Sequence, residues 1–240
     1  MSRDQIYTGD GDPQGPFEFS EDVAKVFPDM LERSIPGYAM TIHAIGSLAR
    51  RYVRAGTICY DLGCSLGAAA MAMRDGIAEP GCRVVAVDNA PAMVERCKDS
   101  LGSTHDVDVS VLEADLRDID ISNASLVVMN YTLQFLPIAD RLPLLQAIHD
   151  GLNPGGVLVL SEKVADGDEA IESLLVDLHH GFKRRNAYSE LEISRKRAAL
   201  ENVLIPESIV THRERLAEAG FRHVGVWQRH FNFVSMVAFR

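Results

Sequence analysis

Apolar positions along this chain switch between two periods. Residues 20–33 place Val23, Val26, Phe27, Met30 and Leu31 at helical spacing, with Ser20 set to cap the helix and Pro28 to bend it. Ser34-Ile-Pro-Gly-Tyr38 reads as a turn into a second amphipathic helix over about 39–52. Short apolar runs then predict strands at 57–62, 83–88, 107–112, 125–130 and 157–161. Between them lie helical stretches at about 68–77, from Ala90 with Pro91 in its first turn, and at 141–152, the last ending at Asn153-Pro-Gly-Gly156. Strands separated by helices predict βαβ units, hence an α/β fold with a mostly parallel sheet covered on both faces. Such sheets bind ligands at their carboxyl edge.

The last third changes character. Helices at 169–183, 189–203 and 208–220 precede two strand-like runs, 222–228 and 231–239, whose short separation predicts an antiparallel closing hairpin and brings the strand count to seven. Residues 1–16 are polar and rich in Gly and Pro turn signals, so a mobile tail, or a lid that orders on binding, is expected there. Residues 17–240 read as one domain, with the first helices as a lid and a helical insertion near 166–220. No internal repeat or linker interrupts it.

Charge narrows the partners. The 240 residues carry 24 Lys plus Arg against 34 Asp plus Glu, a formal charge of −10, which disfavours a nonspecific nucleic-acid or anionic membrane surface and favours a small ligand. Hydrophobic residues at 47% exclude wholesale disorder. Cys59, Cys64, Cys82 and Cys97 form no CxxC pair and no Cys/His zinc spacing, so free thiols and no metal are expected. With no apolar leader and no run of about 20 apolar residues, a cytoplasmic protein is expected.

The strongest chemical signal is Tyr60-Asp-Leu-Gly-Cys-Ser-Leu-Gly67, a strand that breaks into a glycine turn before a helix. Gly63 and Gly67 allow a ligand close to the backbone, and the helix that follows offers unpaired N–H groups. A dinucleotide fingerprint would read GxGxxG, but Ser65 takes the second glycine position, which favours an adenosine ligand without a pyrophosphate. Asp88, 25 residues after Gly63 at the end of the next strand, is placed for ribose hydroxyls, with Asn89 beside it for the adenine side. Asp115 ends the third strand and is placed for the adenine amino group. Each acid alone is an ordinary turn residue, but at successive strand ends they converge on one crevice.

Ser189-Glu-Leu-Glu192 is a capping box that starts a helix. Ile193, Leu200 and Leu204 then share a face, with Arg197 about 40° from its centre. A cation on an apolar stripe needs an anion or a partner chain, and a guanidinium matches a carboxylate bidentately; a structural ion pair with a glutamate is the plainer reading. Arg195 falls on the solvated side, and Lys196 lies at the stripe's edge with a stem able to snorkel. Adjacent His179 and His180 read as surface or packing residues, Lys183-Arg-Arg185 as a solvated helix end with an attraction for an anionic substrate as the alternative, and Tyr131 as packing or a ligand contact.

These residues resemble the class I S-adenosylmethionine-dependent methyltransferases. Five blocks, in order, resemble the carboxy-S-adenosyl-L-methionine synthase family in particular: Pro28-Asp-Met, Ser34-Ile-Pro-Gly-Tyr38, Asp61-Leu-Gly-Cys-Ser-Leu-Gly67, Asp88-Asn-Ala-Pro-Ala-Met-Val-Glu-Arg-Cys97 and Tyr188-Ser-Glu-Leu-Glu-Ile-Ser. The resemblance runs from about Phe17 onward. Ala114 stands where the pattern has Gly, and the first sixteen residues do not follow it. It implies a Rossmann-like fold and an enzyme that converts S-adenosyl-L-methionine and prephenate to carboxy-S-adenosyl-L-methionine and phenylpyruvate for tRNA wobble-uridine oxyacetate formation. It also implies ligand contacts from Tyr38, Gly63, Cys64, Ser65, Asp88, Asn89, Asp115, Leu116, Asn130 and Arg197, the arginine reaching across a homodimer to hold the new carboxylate. In the implied chemistry, hydroxide lost from aromatising prephenate deprotonates the activated methyl, which then captures the released carbon dioxide. An ordinary small-molecule methyltransferase would share every adenosine-site residue, and an inactive cofactor-binding scaffold is the alternative outside catalysis.

Overall fold

The computed structural model describes residues 3–8, 15–102 and 105–240. Strands β1 (Ile58–Leu62), β2 (Arg83–Asp88), β3 (Asp108–Glu113), β4 (Ala124–Asn130), β5 (Leu152–Lys163), β6 (His223–His230) and β7 (Phe233–Phe239) form one sheet in the order β3-β2-β1-β4-β5-β7-β6. The first five pair in parallel, while β7 runs antiparallel to both β5 and β6, which is the expected hairpin. Helices α1 (Glu21–Ser34), α2 (Tyr38–Tyr52), α3 (Ala68–Gly76), α4 (Pro91–Leu101), α5 (Ile138–Gly151), α6 (Glu169–Arg185), α7 (Glu190–Leu200) and α8 (Ile209–Glu218) connect or flank the strands.

Strands β1 and β4 are buried almost throughout because both faces of the sheet are covered. Alternate side chains sort to the two sides. Tyr60, Leu62, Val127 and Met129 pack with Leu144, Leu145 and Ile148 of α5 and Leu216 of α8. Cys59, Leu126 and Val128 pack instead with Ile45 and Ala49 of α2 and Ala70 and Met73 of α3. A smaller cluster joins Tyr7, Phe17, Phe27, Met30 and Met93 beneath α1. All four cysteines are buried and unbridged.

Three local expectations differ from the structure. Residues 3–8 are not a free tail: Asp4 and Tyr7 are buried. The Asp4 N–H donates to Asp29 Oδ2 at 2.7 Å, its carboxylate accepts from the Tyr188 hydroxyl, and Arg195 donates to the Tyr7 carbonyl at 3.2 Å. Residues 9–14 of the expected tail lie outside the described residues. Asn153-Pro-Gly-Gly156 is drawn into β5, with a register irregularity against β4, instead of forming a separate loop. Finally, α7 stops at Leu200, short of 203; the chain turns there, with Val203 and Leu204 N–H donating to the Leu200 carbonyl, before Ile205 donates to the Gln134 carbonyl at 2.9 Å.

Helices α2 and α3 approach through glycine. A Cβ on Gly76 would fall on the Gly46 carbonyl, and one on Gly46 would lie 2.9 Å from the Ala72 carbonyl. Because the opposing atoms are backbone, they have little room to yield. Gly76→Ala is therefore expected to lower stability by about 1–3 kcal/mol, read as a shift of the urea midpoint with an unchanged m-value.

Candidate active site

The carboxyl end of β1 turns through three left-handed residues, Gly63 (φ +83°), Ser65 (φ +47°) and Gly67 (φ +83°), before α3 begins. Only glycine adopts these angles freely, and a Cβ at Gly63 would also strike the Thr132 side chain. Three hydrogen bonds lace the turn to the end of β2: Gly63 and Cys64 N–H donate to the Val87 carbonyl at 2.8 and 2.9 Å, and Ser65 N–H donates to Asp88 Oδ2 at 2.8 Å. Asp88 Oδ1 accepts from Ala90 N–H at 2.9 Å. Burial raises the Asp88 pKa against these bonds. One step inside, Asp61 is 1% exposed and accepts from Ala70 N–H at 2.8 Å. Burial pushes its carboxyl up to about 7, the Ala70 bond opposing and the Asp88 charge adding to the rise.

Above this edge lies a cavity of about 1010 Å³. Gly63, Cys64 and Ser65 of the turn line it, as do Asp88 and Asn89 after β2 and Asp115 and Leu116 after β3. Asn130 at the end of β4 and Tyr38 at the start of α2 complete the set, so nine of the ten residues singled out in the sequence meet in one space. The Asn130 Oδ1 is buried with no hydrogen-bond partner among the described residues, which leaves an acceptor for a ligand donor. Asp115 differs from expectation in detail. Arg117 grips both of its oxygens, at 2.9 and 2.6 Å, and holds its carboxyl below the usual range, so fewer lone pairs remain for an adenine amine. Tyr131, left-handed at φ +64°, packs edge-on to Phe233 and also lines the cavity.

Arg197 is the exception. It is exposed, lies outside the lining of its own chain's cavity, and makes no hydrogen bond or ion pair among the described residues. The stripe that placed it inward counted Leu200 and Leu204, which are only half-buried. The buried face is instead Glu192, Ile193 and Lys196, and Arg197 sits one residue, about 100°, past it. Lys196 is the inward cation. Arg195, expected in solvent, is half-buried against Tyr7.

Opposite the acids stands a basic wall that the sequence did not reveal. Lys163 at the end of β5, His179 and Lys183 on α6, and Lys196 on α7 all line the cavity. Burial, with Lys196 and Lys163 nearby, lowers Lys183 to about 7; burial lowers Lys196 to about 8, with Asp4 opposing. Burial also holds His179 neutral, at about 3, with its Nε2 2.9 Å from the Ser34 carbonyl. The one sequence signal was the four-residue spacing of His179 and Lys183, which puts both on one helix face. Among the described residues, no group of three or more His, Cys, Asp or Glu side chains is arranged to hold a metal, and no helix is long and apolar enough to cross a membrane.

A seven-stranded sheet with its antiparallel closing pair, a glycine turn after β1 and acids after β2 and β3 define an enzyme of the class I methyltransferase fold. The family model for the methyltransferase domain matches residues 59–156. Solved structures agree in fold: human N-acetylserotonin methyltransferase in complex with SAM superposes with a TM-score of 0.61 at 15% identity, over 92% of this chain and 55% of that one. The cyclopropane synthase MmaA2 of Mycobacterium tuberculosis gives 0.56 at 21% identity, over 76% and 62%. Sequence relatives are more specific. The chain is 55% identical over 238 residues to the carboxy-S-adenosyl-L-methionine synthase of Vibrio campbellii, covering 99% of this chain and 97% of the relative. It is 54% identical over 226 residues to that of Citrifermentans bemidjiense, covering 93% of each. The chain therefore belongs to the carboxy-S-adenosyl-L-methionine synthase family, as the five sequence blocks implied.

Asp61 makes stability depend on pH in a defined direction. The folded protein keeps this proton up to about pH 7, whereas the unfolded chain releases it near the ordinary value of 3.8. Between those values the folded state binds more protons, so the Asp61 contribution is full below the lower value and is lost as pH rises through the upper one. Asp61→Asn keeps an acceptor for Ala70 N–H and removes this titration. The unliganded variant should lose less stability than the wild type between pH 4 and 7, by up to about 4 kcal/mol, as read from urea unfolding across that range.

Proposed function

We propose that this chain carboxylates the methyl group of S-adenosyl-L-methionine, using prephenate as the source of carbon dioxide and releasing phenylpyruvate. The carboxylated product would supply wobble-uridine oxyacetate formation in tRNA, in the cytoplasm and without direct tRNA contact. The observation that carries this reading is the polarity of one cavity, acidic at the sheet edge and basic at α6 and α7. A sulfonium cation fits the first end and an anionic co-substrate the second.

The chain's groups divide the work. Asp88 spends one lone pair of each oxygen on Ser65 and Ala90 and keeps the others for ribose hydroxyls. Asn89, Leu116 and Asp115 border the adenine side, and the Asn130 Oδ1 accepts from the ligand's amino group. Tyr38, Cys64 and the apolar cavity walls exclude water, so hydroxide released from prephenate meets the activated methyl before bulk solvent does. No step needs a dedicated protein base or a metal.

Arg197 completes the site from a second copy of the chain. Its exposure, together with the exposed apolar side chains Leu191 of α7 and Ile171, Leu174 and Leu178 of α6, supports a homodimer that covers this region. The same outward position favours the alternative, an ordinary methyl transfer to a small acceptor, if the chain acts alone.

Two measurements separate these readings. Incubation with S-adenosyl-L-methionine and prephenate should yield a carboxylated sulfonium and phenylpyruvate by mass spectrometry; methyl transfer to a supplied acceptor with neither product would promote the alternative. Arg197→Ala should weaken binding of the carboxylated product about 10- to 100-fold while leaving S-adenosyl-L-methionine within about two-fold, as one charge-assisted hydrogen bond is lost. Equal losses for both ligands, in a variant that sediments as the wild type does, reject the carboxylate role.

A further inference from the structure

Three amines from three separate elements face one another across the basic wall with too few acids to balance them. Lys183 is 9% exposed, lines the cavity, and its Nζ makes no hydrogen bond or ion pair among the described residues. Lys196, 6% exposed, donates to Ser34 Oγ at 3.2 Å and has Asp4 Oδ2 at 3.9 Å. Lys163 is the last residue of β5, its backbone N–H fixed by Gln134 Oε1 at 3.0 Å. A buried ammonium without a counter-ion is costly, and gathering a second and a third beside it adds repulsion. Folding that concentrates such groups in a ligand cavity, with Lys183 left wholly unpaired, provides for an anion that arrives with the ligand.

The shape of the wall constrains that anion. The three amines come from a strand end and two helices, and among the described residues the one arginine that lines the cavity, Arg117, stands at the β3 end. Point charges held on three separate elements suit a ligand that carries more than one anionic group, since a single compact anion engages only donors that converge on it. Between the amines the lining is aromatic, with Phe182 and Phe233. We infer that Lys163, Lys183 and Lys196 form a subsite for a small cyclic dicarboxylate, in which Lys183 takes one carboxylate that no protein acid contests. This assignment rests on the carboxylating reading above for the identity of the ligand as prephenate. It makes the wall, and Lys183 first, the determinant that selects a dicarboxylate over a monocarboxylate.

Calorimetry on the full chain saturated with S-adenosylhomocysteine, which has no methyl to react, reads the subsite directly with prephenate and phenylpyruvate as probes. Lys183→Gln should weaken prephenate at least about 10-fold, leave S-adenosylhomocysteine within about two-fold, and narrow the preference for prephenate over phenylpyruvate; Lys183→Arg should restore part of the loss. In turnover the same variant should raise KM for prephenate more than it lowers kcat. Should Lys183→Gln fail to unfold cooperatively, Lys163→Gln is read by the same criteria. Wild-type affinity for prephenate in both glutamine variants overturns the assignment, as does a wild-type protein that binds no prephenate. A wild type that binds prephenate through Lys183 but forms no carboxylated product keeps the subsite and removes the carboxylating reading instead.

Discussion

The bond from Ser65 N–H to the Asp88 carboxylate is the contact on which the site depends. Ser65 is left-handed, a conformation that costs an L-residue roughly 1–2 kcal/mol, and a hydrogen bond to a charged acceptor offsets about that much. With Gly63 and Cys64 both bonded to the Val87 carbonyl, this contact fixes the ends of β1 and β2 relative to each other. It also decides where α3 starts, and so where Ala70 meets Asp61. The acid that orients the turn is the acid that faces the ligand. Its two structural acceptor positions leave two others free, so folding and binding do not compete for the same lone pairs.

Burial then gives the two ends of the cavity opposite biases. At the sheet edge it drives Asp61 toward its neutral form, with a pKa of about 7; at the helical wall it drives Lys183 toward its neutral form, also about 7. Each group is thereby held close to a change of charge at neutral pH. A cationic ligand near Asp61 favours the carboxylate, and an anionic one near Lys183 favours the ammonium. The charges needed to hold a sulfonium and an acid are therefore strengthened by those ligands, while the unliganded protein is spared part of the cost of burying them.

What the sequence disclosed and what it hid follow from how far each signal reaches along the chain. The β2 run and its terminal Asp88, the capping of α1 by Ser20 and the capping box before α7 are local patterns, and each appears in the structure where the pattern put it. The basic wall is different, because Lys163 carries no local signal, Lys183 reads as part of a solvated helix end and Lys196 as a snorkelling stem, and the three meet only in the folded cavity. Asp4 was hidden for the same reason: its partners Tyr188 and Lys196 lie more than 180 residues away. The misplacement of Arg197 came from reading the inward face off apolar residues alone, since the buried Glu192 and Lys196 turn that face away from it.

That rotation gives α7 two chemical faces. Consecutive residues on a helix point about 100° apart, so Lys196 enters its own chain's cavity while Arg197 is presented outward. The inward face is anchored by residues 3–8, through Asp4 near Lys196 and the Tyr7 carbonyl on Arg195, which limits how far the helix can turn. In the proposed homodimer, one rigid helix would thus serve two cavities, with the lysine holding the incoming co-substrate in one and the arginine holding the carboxylate formed in the other. Specificity for the carboxylated product would then require assembly, while recognition of the adenosyl group would not.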